Sequence, residues 1–123
     1  MDGEVTDWTV AQWLALFTPA WFSLHLSNPG RTGDIQSEVV GGSYSRLSGA
    51  LSAFDARTVW LASDLIWNGL PNIVPTHIGI WDAQFNGHLL SYGGLPLPYP
   101  NVPQGGSFEL AANTYAISVG LAA

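Results

Sequence analysis

The stretch from Val74 to Gly93 limits the fold of this chain more than any other. Ile78 and Ile80 alternate with His77, Gly79 and Trp81, which is the period of a strand. Asn86-Gly87 follows, the dipeptide that best suits a tight hairpin turn, because both central residues of that turn need positive φ. Leu89 to Tyr92 then runs back. A two-residue turn at Asn86-Gly87 predicts that His77 lies opposite Pro96. The hairpin is expected to sit at the centre of one sheet.

The rest of the chain reads around it. Val10, Trp13, Leu14 and Phe17 fall on one helical face, with Thr6 or Asp7 as cap and Pro19 as stop. The pattern predicts one short helix in residues 1–19, ahead of a β domain over 20–123. That helix either covers the sheet or docks on a neighbouring subunit.

Ala20 to Leu26 reads as a strand with Phe22, Leu24 and Leu26 on one face and Trp21, Ser23 and His25 on the other. Ser27 to Asp34 is a loop by composition. Gly41-Gly42 interrupts an extended segment and predicts a bend or bulge. Ser48 to Ala56 has no decisive pattern and is read as extended.

Strands are further expected over Arg57 to Ala62, at Leu65 to Trp67, over Ser107 to Leu110 and from Tyr115 to Leu121. Pro96, Pro98, Pro100 and Pro103 make Leu95 to Gly106 a rigid loop. About seven or eight short strands with turns between them predict an all-β fold, an antiparallel sandwich of Greek-key or jelly-roll type.

Several motifs stand in a fixed order: Leu24-His25-Leu26-Ser27-Asn28-Pro29-Gly30, Gly33, and Glu38-Val39-Val40-Gly41-Gly42-Ser43-Tyr44-Ser45-Arg46. His77-Ile78-Gly79-Ile80-Trp81-Asp82-Ala83 follows, with Gly87, Leu89, Leu90, Gly93 to Leu95 and a Pro-rich loop. This order of motifs resembles small structural proteins of tailed bacteriophages, of the tail-fibre or minor-tail kind. The likeness spans residues 14–120. Ser48 to Asp64 is a shorter middle than that family's pattern has, and the N-terminus is richer in tryptophan. The resemblance implies a β-sandwich built into a virion, and it carries over no catalytic residue.

Composition agrees with a covered surface. Charged residues make up only 10% of the 123-residue chain, far below the usual quarter. Partner contact is the simplest explanation, most economically in a repeated assembly. The resemblance implies a symmetric homo-oligomer among other virion proteins. There is no lysine, and three arginines stand against nine acids. That balance excludes the clustered basic footprint of a nucleic-acid binder and disfavours an anionic membrane. The acidic N-terminus has no basic leader region, so no signal peptide is expected, and synthesis is expected in a cytoplasm. The resemblance implies that the cytoplasm is the host's and that the chain ends in the virion.

Chemistry has little footing in the sequence. Cysteine is absent and the three histidines have no metal-ligand spacing, so no metal or cofactor is expected. No Gly-x-Ser-x-Gly elbow occurs, and Asp55, Asp64, Asp82 and Glu109 read as solvated carboxylates. No catalytic residue is assigned, and the protein is expected not to be an enzyme.

Glu38 and Arg46 bracket the Gly41-Gly42 bend and are expected to form a structural pair. Interface candidates are Trp8, Trp13, Trp21, Asn28, Pro29, Tyr92, Pro96, Pro98, Tyr99 and Pro100, since exposed aromatics and rigid loops anchor contacts. Head decoration is the alternative place in a virion. Binding of a host-surface glycan by exposed aromatics is the alternative function.

Overall fold

The computed structural model describes residues 15, 17, 19–33, 35–55 and 58–118. The expected N-terminal helix, including Trp8 and Trp13, lies outside the described residues except for Ala15 and Phe17, and Phe17 is buried in the core. Val119 and Leu121 of the expected last strand also lie outside them.

The described chain is built of antiparallel strands. They are β1 (Ala20–His25), β2 (Leu47–Gly49), β3 (Leu51–Asp55), β4 (Thr58–Leu61), β5 (Leu65–Leu70), β6 (His77–Trp81), β7 (Leu89–Gly94), β8 (Gly106–Leu110) and β9 (Ala116–Ser118), with one 3-10 turn at Ile35–Ser37. A four-stranded sheet runs β2-β1-β6-β7, a three-stranded sheet β3-β4-β9, and a two-stranded sheet β5-β8.

These strands outnumber the seven or eight expected. The stretch from Ser48, read as having no decisive pattern, contributes to two of them, because Leu47 to Gly49 pairs with β1 while Leu51 to Asp55 pairs with β4. Two destinations within nine residues leave no single period to read.

One core joins the sheets. Phe22 and Leu24 of β1 and Ile78 and Ile80 of β6 are wholly buried on one face. They cluster with Leu61 of β4, Leu65, Trp67 and Leu70 of β5, and Leu110 of β8. Tyr115 packs edge-on against Phe22, ring centroids 6.1 Å apart. Leu26 does not join them. It is 46% exposed, because β1 ends at His25 and the chain turns away.

The central hairpin forms, but with a different register. His77 pairs with Gly94, not Pro96. The strands stop at Trp81 and restart at Leu89, so residues 82–88 make a long connection in place of a two-residue turn. Asn86 (φ 55°) and Gly87 (φ 78°) do take positive φ. The Asp82 carboxylate closes the connection, accepting the His88 backbone N–H at 2.7 Å and meeting His88 Nδ1 at 3.0 Å. The slip is two residues from His77 to Ile80 and becomes three at Trp81, where the ladder has an irregularity, while Ile78 and Ile80 keep the buried face that alternation along their own strand predicts.

The Gly41-Gly42 bend also forms, with φ of 111° and 57°. It brings Ser43 N–H to the Gly69 carbonyl at 2.8 Å. A Cβ at Gly42 would strike that carbonyl. β5 continues past Trp67, the end expected from sequence, to Leu70, with an irregularity between Trp67 and Leu70.

Candidate interaction surface

The second face of β1 is also dry beyond the half-buried Trp21. Ser23 and His25 are both 0% exposed. The connection from β1 to β2 folds back over that face. Gly33 approaches so closely that a Cβ there would lie 2.9 Å from Leu89 Cβ and 3.5 Å from the Trp81 ring.

Buried polar atoms need partners, and here they find each other. Trp81 Nε1–H donates to Ser23 Oγ at 2.8 Å. Ser23 Oγ lies 2.6 Å from His25 Nε2, and Ser37 Oγ lies 2.8 Å from His25 Nδ1. A neutral histidine protonated at Nδ1 satisfies the set: Ser23 accepts from Trp81 and donates to Nε2, while Nδ1–H donates to Ser37. The Trp81 and His25 rings stack at 6.4 Å.

Beside this chain of bonds sits Arg46, 6% exposed. It immediately precedes β2, and Glu38 bridges to His25, so both flank the same edge of β1. The guanidinium grips Glu38 with two parallel bonds, Nε to Oε2 at 3.0 Å and Nη2 to Oε1 at 2.8 Å. Its Nη1 donates to the carbonyls of Ala83 (3.0 Å) and Asn86 (2.7 Å) in the hairpin connection. Its plane covers the Trp81 ring, 4.0 Å from the centroid.

Tyr44 completes the arrangement. Its hydroxyl donates to Glu38 Oε2 at 2.5 Å and accepts the Leu24 backbone N–H at 3.1 Å. Burial, then the hydrogen bond to and the charge of Glu38, push the phenol far above its ordinary range, so it stays a donor.

Two segments distant in sequence are thus tied together. Residues 35–46 form one wall and Gln84, Phe85 and Asn86 the other. Between them lies an open groove of about 520 Å3. Glu38 and Arg46 line it and are committed to each other. Its exposed rim carries three large apolar side chains, Ile35 (53% exposed), Phe85 (74%) and Val40 (85%), beside the uncharged polar Ser45 and Asn86. A fixed groove rimmed by bare aliphatic and aromatic side chains suits another polypeptide.

The Ser23–His25 contact has the distance of a nucleophile and its base. Both residues are sealed from solvent, and the serine oxygen already accepts the Trp81 N–H, so no substrate can reach it. The other histidines are engaged elsewhere, His77 with Thr76 Oγ1 at 2.8 Å and His88 with Asp82.

The interface candidates divide. Asn28, Pro96, Pro98 and Tyr99 are exposed. Trp21, Tyr92 and Pro100 are half-buried. Pro29 is buried within its own chain and presents nothing to a neighbour. Ile35, Val40 and Phe85 escaped the sequence reading, and Leu97 was covered only as part of the rigid Pro-rich loop. Val40 and Phe85 carried a signal, since each is a bulky apolar residue beside a Gly-Gly or Asn-Gly turn, where polar residues are the rule.

Residues 4–118 match the family described as "Podophage GP4 fiber I protein gp80". No curated protein matches the chain.

Proposed function

The chain belongs to the podophage GP4 fiber I protein gp80 family, and from that membership we propose that it works by assembly, as a rigid block within a symmetric homo-oligomer at the phage tail. The family makes it a structural protein of a tailed phage, of the fibre kind, located in the virion among other virion proteins. No helix of the described residues is long and apolar enough to cross a membrane.

In this reading the four-stranded sheet packs as one layer of a sandwich over the other two sheets, and the loops make the contacts. It catalyses no reaction. One observation carries the proposal. Large apolar side chains stand exposed on loops that are held in place, Val40 and Phe85 by the Arg46 clamp and Leu97 between two prolines. Ordered loops with bare apolar tips lose little entropy on contact.

The test is the copy number of this chain per purified particle, by quantitative mass spectrometry. A few copies in multiples of three or six are expected for a place at the tail. Hundreds of copies, in proportion to the major capsid protein, would move it to the head surface. Absence from the particle would refute assembly.

A further inference from the structure

The groove has a counterpart on the same molecule. Its Phe85 wall lies in the connection that follows β6. The Pro-rich loop follows the opposite end of that strand pair, after β7. Leu97 stands at the tip of this loop, 76% exposed, between Pro96 and Pro98, with Tyr99 39% exposed beside it. The loop is pinned at both ends: Leu95 N–H reaches the Thr76 carbonyl at 2.8 Å, Ile73 and Val102 form a bridge, and Gly105 N–H reaches the Leu70 carbonyl at 2.7 Å.

We propose that the Pro-rich loop of one copy seats Leu97 in the Ile35–Val40–Phe85 groove of the next copy, head to tail. This rests on the assembly reading above and names its contact. Charge selects the occupant. The chain carries a net charge of −6, so two copies repel unless they meet where neither shows unpaired charge. Residues 89–108 contain no charged side chain at all. The groove's two charges are spent on each other.

Shape and stiffness agree. A proline-flanked leucine is a preformed knob, and the Arg46 clamp makes the groove a preformed hole. Because knob and groove are different surfaces, the contact is heterologous and builds a ring wherever the rotation closes.

The experiment uses the full chain and two charge variants, Leu97→Glu and Phe85→Glu. Both positions are largely exposed, so both variants are expected to keep the wild-type circular dichroism and melting temperature. In sedimentation velocity the wild type is expected to self-associate, and each variant to weaken that association by at least about tenfold.

Mixing is decisive. The Leu97→Glu variant retains an intact groove and the Phe85→Glu variant an intact knob, so the mixture is expected to form a one-to-one heterodimer. A monomeric wild type at every accessible concentration would overturn the proposal. So would variants that still assemble, or a mixture that stays monomeric. A monomeric wild type that is nonetheless present in particles would remove this contact and leave the virion role standing. Absence from particles would remove the role on which both rest.

Discussion

The two faces of β1 both bury residues completely, Phe22 and Leu24 on one and Ser23 and His25 on the other, and they are held in opposite ways. Phe22 and Leu24 point to one side and join the apolar cluster with Ile78, Ile80 and Leu65, the Tyr115 ring lying edge-on to Phe22. Ser23 and His25 point to the other and meet a chain of hydrogen bonds ending at Ser37 and Trp81, with the Arg46–Glu38 pair alongside. The apolar face gains from any close packing. The polar face is stable only if every member finds its partner, since a half-satisfied network costs more than it returns. The first face therefore fixes that the sheets pack, and the second fixes where the loops lie.

Large truncations on either side should cost similar amounts for different reasons. Phe22→Ala leaves a cavity and should destabilise the protein by about 3–5 kcal/mol in chemical denaturation. Arg46→Met strands the Glu38 carboxylate and orphans the Ala83 and Asn86 carbonyls, and should also cost about 3–5 kcal/mol. The two should part in a second step. Adding Glu38→Gln to Arg46→Met removes the stranded charge and should recover part of the loss. No distant change should rescue Phe22→Ala. If Arg46→Met costs under about 1 kcal/mol, the ion pair behaves as a surface pair and the symmetry between the faces fails.

The apolar face was legible in the sequence, because alternation is a local signal and Phe22, Leu24, Ile78 and Ile80 all obey it. The resemblance in motif order also led to the fibre family that the chain belongs to. The polar face was only half legible. Glu38 and Arg46 could be paired across a glycine bend eight residues long. The carbonyls of Ala83 and Asn86 could not be found, because they lie about 40 residues away and a backbone acceptor leaves no trace in side-chain pattern. The hairpin register failed for a related reason. Asn86-Gly87 marked the positive φ correctly, but Asp82 and Arg46 hold a wider connection than the dipeptide alone requires. Val40 and Phe85 were missed because strand and helix periods say nothing about an apolar residue placed in a turn.

Gly79 links the two faces through a middle-sized effect. It has ordinary backbone geometry, so its role is space. A Cβ at that position would lie 2.6 Å from Ser23 Oγ, 2.8 Å from His25 Nε2 and 3.1 Å from Leu89 Cδ1. Gly79→Ala should therefore cost about 1–3 kcal/mol by overpacking. The damage should be confined to the polar side. The His25 ring resonances and the Trp81 indole N–H should shift in NMR, while the methyl groups of Ile78 and Ile80 stay near their wild-type positions. Equal shifts on both sides would mean that the faces are mechanically one unit.

The smallest effect belongs to the end of the hairpin connection. The Asp82 carboxyl titrates below its ordinary value of 3.8, chiefly because its charged form accepts the His88 backbone N–H and then because of its bond to the His88 ring. A carboxyl depressed in the folded state contributes its stabilisation fully above the ordinary value and loses it as pH falls through the lower, folded one. Asp82 is exposed, so the effect should be local. The His88 amide proton should move upfield below pH 3.8, and Asp82→Asn should abolish that titration. Arg46 still holds the Ala83 and Asn86 carbonyls in this variant, so the groove should survive and self-association should be unchanged. Loss of self-association in Asp82→Asn would mean that the carboxylate latch, and not the arginine clamp, positions Phe85.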